Sequence, residues 1–255
     1  MKDFFEKGVP FSCRTVLGLP YFDGEVRDAL DAVYPLARAR TPFSVFTPGA
    51  TVAARAEREM PIKDLLLRAD LLLPDGRGCL LAARLCGTPL SSQIAGIDFA
   101  EALLARADGD GLRVFLFGGK TGVAERAAAR LRAKYGGLII SATDGYGEDP
   151  APRIAAFRPH VTCVCLGAGK QEAWIAENKT RVGGVLLGLG GSLDVWSGEV
   201  ARAPRLLRRA GLEWAWRTLL APRRVGRLLP LPSYFLRCFR VGQNAKKEEQ
   251  NPPVV

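Results

Sequence analysis

The sequence is poor in the residues that build metal and redox sites. It has a single histidine, His160, and six cysteines, none of them in the C-x-x-C spacing of zinc or redox sites. No Asp-x-Asp motif or His/Asp cluster follows any predicted strand, so we expect neither a metal nor a cofactor. His160 is a candidate base, but its place before an apolar run favours the start of a strand. Cys163 and Cys165 lie within that run and are expected to be buried thiols.

The sequence also lacks a long apolar run. Its most apolar stretch, residues 182–193, covers twelve positions, well short of the about 20 residues of a transmembrane helix. The first seven residues mix acids with lysines and do not resemble a secretory signal. We therefore expect a cytoplasmic protein that contacts a membrane only peripherally, on the inner face of the plasma membrane.

Acidic residues are nearly missing from residues 201–240. This stretch holds ten arginines and one acid, Glu213, so it carries +9 of the chain's net charge of +10. Large apolar side chains are interleaved with the arginines, and Leu207, Ala210 and Trp214 would share one face of a helix. Such a segment is typical of a helix that lies on an anionic membrane surface.

Short apolar runs alternate with helical patterns through the rest of the chain. The predicted strands are 43–47, 71–73, 114–117, 138–141, 161–166 and 185–189. The predicted helices include 26–39, 77–85, 99–107, 123–135 and 171–180. This alternation predicts an α/β fold, with a Rossmann-like, mostly parallel sheet, helices on both faces and a C-terminal basic amphipathic helical appendage. We expect an α/β core at 1–200, a membrane-associating appendage at 201–242 and a disordered polar tail at 243–255.

Glycines and polar residues follow the predicted strands, where parallel sheets bind their ligands. Gly118, Gly119 and Gly122 lie between a strand and a helix, so they either present backbone N–H groups to a phosphate or simply form a tight turn. Position 114 is valine, which excludes a triphosphate P-loop, and the G-x-G-x-x-G fingerprint of dinucleotide enzymes is absent. A nucleotide-diphosphate pocket remains compatible with the sequence.

Three further strand-end residues are candidates for catalysis. Asp75 is suited to be a general base, because apolar walls raise the pKa of a carboxyl group, although it also fits the N-cap of the next helix. Thr47 fits either a substrate contact or a helix cap. Gln171 opens a helix after a glycine turn, and its amide is suited to hold a sugar or uracil edge.

Three arginines of the basic stretch have a spacing that would let them share a helix face and bind a diphosphate: Arg217, Arg224 and Arg227. The alternative is a solvated basic face.

Taken together, these motifs resemble the WecG/TagA/CpsF glycosyltransferase family, also called glycosyltransferase family 26, over residues 16–227. The matching elements are Val16-Leu17-Gly18-Leu19-Pro20, Thr47-Pro48, Asp75-Gly76, Gly96-Ile97-Asp98, Phe117-Gly118-Gly119-Lys120, Asp144-Gly145-Tyr146, Gly167, Lys170-Gln171-Glu172, Gly190-Gly191-Ser192-Leu193-Asp194, Gly198, Arg202-Ala203-Pro204, Gly211-Leu212-Glu213-Trp214, Arg217 and Pro222-Arg223-Arg224.

The resemblance implies an inverting, metal-independent enzyme without a cofactor. Such an enzyme moves N-acetylmannosamine or another hexose from a UDP-sugar donor to a polyprenyl-diphosphate-linked sugar during cell-surface polysaccharide synthesis. It also implies partners: the donor, the lipid-linked acceptor and an anionic membrane surface where the C-terminal appendage docks and completes the active site, but no nucleic acid. The oligomeric state, including a homo-oligomer, stays open.

The resemblance assigns roles to individual residues. Asp75 is the expected base, and Thr47 and Gln171 are its active-site partners. The acceptor diphosphate is assigned to the three arginines named above. The expected donor-binding residues are Gly118, Gly119, Lys120, Asp144, Tyr146, Gly167, Gly190, Gly191 and Asp194.

Three positions depart from the family pattern: Gly49 replaces the usual Asn, Gln93 the usual Arg, and Gly169 a proline. The changes at 49 and 93 leave open a second hypothesis, a family member that binds UDP without turnover. A third hypothesis is a basic α/β protein that binds nucleic acid. The large apolar residues among the arginines and the lack of a helix-turn-helix or RNA-binding signature disfavour it.

Overall fold

The computed structural model describes residues 12–204, 206–207, 215–216, 219, 225–226 and 228–250. The strands are β1 (Cys13–Val16), β2 (Leu19–Phe22), β3 (Phe43–Phe46), β4 (Leu71–Leu72), β5 (Arg113–Gly118), β6 (Ile139–Thr143), β7 (Val161–Cys165) and β8 (Val185–Gly188). The helices are α1 (Val26–Arg38), α2 (Ala50–Ala56), α3 (Met60–Leu67), α4 (Arg77–Leu85), α5 (Gly96–Asp108), α6 (Val123–Lys134), α7 (Ala151–Phe157), α8 (Lys170–Val182), α9 (Ser192–Trp196) and α10 (Leu231–Gln250).

The eight strands form one sheet in the order β1-β2-β4-β3-β8-β7-β5-β6. β1 pairs antiparallel with β2, and every other neighbouring pair is parallel. The expected mostly parallel α/β fold is therefore confirmed. Because β2 to β8 run in one direction, their carboxyl ends lie along a single edge of the sheet.

The middle of the sheet is buried on both faces. All residues of β3 and β7 are buried, including Cys163 and Cys165 as expected. One apolar cluster packs α1, α5, α6 and α9 against one face of the sheet, and a second packs α2, α3, α4, α8 and α10 against the other. Such continuous apolar strands are typical of a parallel sheet covered by helices.

The sequence pattern did not predict the β1–β2 hairpin. Its two turn residues have positive φ angles, 47° at Leu17 and 82° at Gly18, and Val16 pairs with Leu19. Positive φ at both central residues is the signature of a type I′ turn, whose twist matches that of the flanking strands. The Val16-to-Pro20 motif is therefore a hairpin turn.

The C-terminal helix α10 packs on the core. Tyr234 and Cys238 are 4% and 0% exposed and belong to the second apolar cluster. A Cβ atom at Gly242 would overlap the carbonyl oxygen of Leu85, and the Phe235 ring lies 4.0 Å from a Cβ placed at Gly78. The start of α10 thus lies beside the start of α4, and the two helices run in the same direction.

Helix α10 also extends further than the sequence pattern predicts. It continues to Gln250, whereas we expected a disordered tail from residue 243. Residues 243–250 contain mostly good helix formers such as Ala, Lys, Glu and Gln. Because the helix is already formed and packed up to Gly242, these residues continue it. Residues 251–255 lie outside the described part.

Candidate active site

Two of the predicted catalytic residues form hydrogen bonds with the end of β8 and the residues directly after it. The Thr47 hydroxyl, just past β3, donates a 2.9 Å hydrogen bond to the carbonyl oxygen of Gly188. The N–H of Gly190 donates a 2.8 Å bond to Oε1 of Gln171, near the start of α8. Thr47 therefore does not cap α2, whose N-cap is Gly49, and it lies with Gln171 at the carboxyl edge of the sheet.

Asp75 lies at the same edge, directly after β4. The N–H of Leu73 donates a 2.9 Å bond to the carbonyl of Phe46, and an isolated parallel bridge joins Gly49 to Asp75. The pairing of β3 with β4 thus continues up to Asp75. The N-cap of α4 is Gly76, at a φ of 86°, so the alternative interpretation of Asp75 as a helix cap is wrong.

Two buried side chains hold the backbone of Pro48, next to the Gly49 that pairs with Asp75. The Tyr21 hydroxyl and the Cys79 thiol each donate a 3.3 Å bond to the carbonyl of Pro48. Burial raises the pKa of Cys79 to about 12, and the nearby charge of Asp75 adds to the effect. Cys79 is therefore a neutral thiol that holds the backbone. The sequence pattern predicts a role for neither residue, although Gly18 marks the turn that precedes the strand carrying Tyr21.

The Gly96-Ile97-Asp98 motif fits around Thr47. A Cβ atom at Gly96 would lie 2.7 Å from the Thr47 hydroxyl oxygen and 2.9 Å from its methyl carbon. Contacts of that length do not occur for real Cβ atoms, so only glycine fits while Thr47 keeps its position. Asp98 forms a 2.6 Å ion pair with Arg202, which ties this motif to Arg202-Ala203-Pro204.

The expected donor-binding glycines lie further along the same edge. The N–H of Gly119 donates a 3.2 Å bond to the carbonyl of Cys165, and the N–H of Gly145 donates one of the same length to the carbonyl of Gly119. The backbone N–H of Tyr146 donates a 3.1 Å bond to the Asp144 carboxylate. Tyr146 itself is 65% exposed. The glycine turn, the Asp144-Gly145-Tyr146 motif and the end of β7 are therefore neighbours.

Backbone donors remain available at the start of α6. The N–H groups of Gly119 and Gly190 already have protein acceptors. Within the described ranges, the N–H groups of residues 120–122 have none, and they precede the twelve-residue helix α6. Free N–H groups at a helix N-terminus attract anions. Lys120 is exposed beside them, while Gly167 and Asp194 follow β7 and β8 at the same edge.

Gln171 is held at both ends of its amide. Its Nε2 donates a 2.9 Å bond to Glu172, and Glu172 also accepts a 2.6 Å bond from the N–H of Gly169. Burial raises the pKa of Glu172, a side chain only 4% exposed. The second hydrogen of the Gln171 amide has no acceptor among the described residues, so it can donate to a ligand.

The described structure does not place every residue of interest at this edge. His160 precedes β7 at the opposite edge, so it is no candidate base here. Asp108-Gly109-Asp110 has the Asp-x-Asp spacing but connects α5 to β5, also at the opposite edge, where Asp108 binds the N–H of Gly137 at 2.7 Å. The acceptor arginines Arg217, Arg224 and Arg227 lie outside the described residues.

Gln93, which departs from the family pattern, neighbours the Asp75 segment. The N–H of Ile94 binds the carbonyl of Pro74 at 2.9 Å. The Oε1 atom of Gln93 is buried and has no hydrogen-bond partner among the residues with described positions.

A family model described as "Glycosyl transferase WecG/TagA/CpsF family" matches residues 14–248. The chain belongs to this family. The resemblance carried by the motifs is therefore confirmed, and the family is one of glycosyltransferases, as expected.

Three relatives illustrate what this WecG/TagA/CpsF family member is similar to. All three are named N-acetylglucosaminyldiphosphoundecaprenol N-acetyl-beta-D-mannosaminyltransferase. The Bacillus subtilis protein is 33% identical over 91% of this chain and 93% of its own length. The Bacillus spizizenii protein is 37% identical over 74% of this chain and 76% of its own length. The Staphylococcus aureus protein is 29% identical over 80% of this chain and 82% of its own length.

Proposed function

We propose that this enzyme transfers N-acetylmannosamine, or a similar hexose, from a UDP-sugar to a polyprenyl-diphosphate-linked N-acetylglucosamine in cell-surface polysaccharide synthesis. The observation that carries the proposal is the shared edge of Asp75, Thr47, Gln171 and the free N–H groups of residues 120–122. Four strand spacings of about 4.8 Å separate β4 from β5, about 19 Å in all. An extended UDP-sugar with the acceptor hydroxyl beside it suits that span. The printed names of the relatives support this choice of sugar and acceptor.

In the proposed reaction, the acceptor hydroxyl attacks the anomeric carbon of the donor sugar. The Asp75 carboxylate takes the hydroxyl proton as the new bond to carbon forms. The bond from the anomeric carbon to the UDP oxygen breaks on the opposite side, so the configuration inverts and UDP leaves with the electron pair. The N–H groups of residues 120–122 and the start of α6 stabilise the charge that develops on the leaving diphosphate.

Thr47 and Gln171 have supporting roles in this proposal. Thr47 is fixed by a hydrogen bond to the last residue of β8 and Gln171 by one to Gly190, two residues later, so both would present rigid polar groups to the sugar. Rigid placement of substrate contributes to catalysis because the reacting atoms are held at attack distance.

We place the acceptor lipid on the C-terminal side. Arg217, Arg224 and Arg227 would bind its diphosphate, since guanidinium groups bind phosphate in bidentate fashion. Seven of the twelve exposed large apolar side chains of the described residues fall between Leu206 and Val241, inside or next to the basic stretch. No described helix has the length and apolar character to cross a bilayer. An apolar and basic surface of this kind is suited to peripheral binding on the inner face of the plasma membrane.

The direct test measures UDP release from UDP-N-acetylmannosamine with a polyprenyl-diphosphate N-acetylglucosamine analogue, in the presence of EDTA. We expect turnover without added metal, and loss of turnover in EDTA would contradict metal independence. A panel of other UDP-sugars defines the donor. If UDP binds but no donor turns over, the hypothesis of a family member without turnover, suggested by Gly49 and Gln93, is favoured instead.

The Asp75→Asn variant tests the role of the base. Amide cannot accept the proton, so we expect kcat to fall by about 10²–10⁴-fold while UDP affinity, measured by calorimetry, stays the same. Asp64→Asn, at an exposed position of α3, is the matched control and should keep full turnover. Unchanged kcat in Asp75→Asn would remove Asp75 from this role.

A further inference from the structure

A cavity of about 410 Å³ opens at the amino edge of the sheet, opposite the candidate active site. Its lining residues are Arg40, Arg113, Ala156, Phe157, Arg158 and His160. They come from the connection between α1 and β3, from the start of β5, from the last turn of α7 and from the connection between α7 and β7. None of them has a part in the proposed reaction.

The cavity concentrates positive charge without an acid. Three of its lining residues are arginines and none is acidic. In the part of the chain with described positions, none of the three forms an ion pair. Burial, together with the charges of Arg158 and Arg113, lowers the pKa of Arg40. The guanidinium groups thus repel one another, and an anion between them would remove that repulsion.

The guanidinium groups are held in place by their inner nitrogens. Nε of Arg113 donates a 2.7 Å bond to the carbonyl of Phe157, and Nε of Arg40 donates a 3.3 Å bond to the carbonyl of Pro159. The Arg113 guanidinium also stacks on the Phe157 ring at 4.3 Å. Among the residues with described positions, the terminal nitrogens of Arg40 and Arg113 have no acceptor. These nitrogens are the ones that bind phosphate oxygens in pairs.

His160 adds a donor to the same cavity. Its Nδ1 accepts a 2.9 Å bond from the backbone N–H of Arg113, so the neutral ring carries its proton on Nε2. Burial, then the charges of Arg40 and Arg113, lower the pKa of His160. The ring is therefore a neutral donor beside three cations.

We propose that this cavity is a second ligand site, which binds a small phosphate-bearing anion through Arg40, Arg113, Arg158 and His160. The volume falls within the range of about 300–1,000 Å³ typical of small-molecule sites. The site is separate from the candidate active site, because the five residues of β7, at about 3.3 Å each, place roughly 16 Å of strand between them. The proposal does not depend on which sugar the enzyme transfers.

The single histidine makes the site directly observable. Because the chain has one histidine, proton NMR of the full-length protein shows one set of imidazole resonances. Titration with pyrophosphate or inorganic phosphate should shift these resonances to saturation. It should also raise the pKa of His160, since the anion offsets the charges of Arg40, Arg113 and Arg158 that face it. A separate titration with phosphatidylglycerol vesicles distinguishes a free phosphate from a lipid headgroup.

The double variant Arg40→Gln with Arg158→Gln tests the contacts. We expect pyrophosphate affinity, followed at His160, to fall about tenfold or more, with UDP affinity and turnover at the other edge unchanged. Arg181→Gln, at an exposed position of α8, is the control and should bind as the native protein does. The absence of a saturable shift with either phosphate, equal affinity in the double variant, or a response to vesicles alone would overturn the proposal. Since UDP release is measured independently, failure here is distinguishable from failure of the proposed reaction.

Discussion

Glycines shape the candidate active site mainly by making room for side chains. Gly96 leaves space for Thr47, and a Cβ atom at Gly188 would lie 3.1 Å from Nε2 of Gln171. Neither glycine has a positive φ angle, so backbone freedom is not the reason for its presence. The positions of two candidate catalytic side chains therefore depend on missing Cβ atoms in neighbouring segments.

Gly96→Ala tests this dependence. The added methyl group overlaps Thr47, so we expect turnover to fall and the free energy of unfolding to drop by about 1–3 kcal/mol. UDP release and urea denaturation measure the two effects. Gly109→Ala is the matched control, because Gly109 has a helical φ of −65° and no atom within 4 Å of an added Cβ. Native turnover in Gly96→Ala would show that Thr47 does not need its observed position.

The sequence predicted the location of Asp75, Thr47 and Gln171, because the ends of parallel strands meet at one edge. Their catalytic roles remain predictions. The supporting contacts were beyond a sequence pattern, since Tyr21 binds Pro48 across 27 positions of the chain. The binding of Gly119 and Gly190 N–H groups to protein atoms was likewise not predictable, because a glycine turn looks the same whether its donors are free or used.

Among the elements, α10 has a buried face that the many charged residues of its sequence make hard to recognise. The arginines of residues 201–240 dominate the pattern and predict a surface helix. Tyr234, Cys238 and Gly242 follow one another at intervals of four residues, which places them on one helical face, and all three are buried. That stripe was the signal for docking on α4. The hairpin and the short helices α2, α3, α7 and α9 were not predicted. Elements of four to eight residues are too short to show a clear hydrophobic periodicity.

Gly242→Ala tests the docking of α10. Alanine favours a helix by about 1 kcal/mol, but its methyl group overlaps the Leu85 carbonyl, and a clash with backbone costs about 1–3 kcal/mol. We expect a net loss of stability in urea denaturation. Gln243→Ala, at the next and exposed position, should be neutral or slightly stabilising. A stability gain in Gly242→Ala would mean that α10 does not lie against α4.

For the molecule as a whole, positive charge and exposed apolar surface coincide. Residues 201–240 carry nearly all of the net charge, and Leu229, Leu236 and Phe239 are 76%, 49% and 48% exposed there. The surface of a soluble protein rarely combines a high positive charge with large exposed apolar side chains in one segment. This coincidence is the basis of the proposal that the protein binds a membrane and that its C-terminal side faces the lipid.

Leu236→Ser with Phe239→Ser tests that orientation. Each apolar side chain that enters a bilayer contributes on the order of 1–2 kcal/mol, so the pair should weaken co-sedimentation with phosphatidylglycerol vesicles by roughly tenfold or more. Added salt should weaken binding of the native protein, because arginines contribute through charge. Met60→Ser with Ile139→Ser removes equally exposed side chains elsewhere and should leave binding intact. An equal loss in both pairs would contradict the orientation.

The buried thiols under α10 allow the separation of α10 from the core to be measured by chemical labelling. The free thiols of Cys86 and Cys238 form a hydrogen bond with each other between α4 and α10. Five of the six cysteines are buried, and Cys13 is partly exposed. A maleimide reagent should therefore modify one thiol at once and reach Cys238 only when α10 separates from the core. The labelling rate of Cys238, measured by mass spectrometry with and without vesicles, tests whether α10 stays packed on α4 in the presence of lipid.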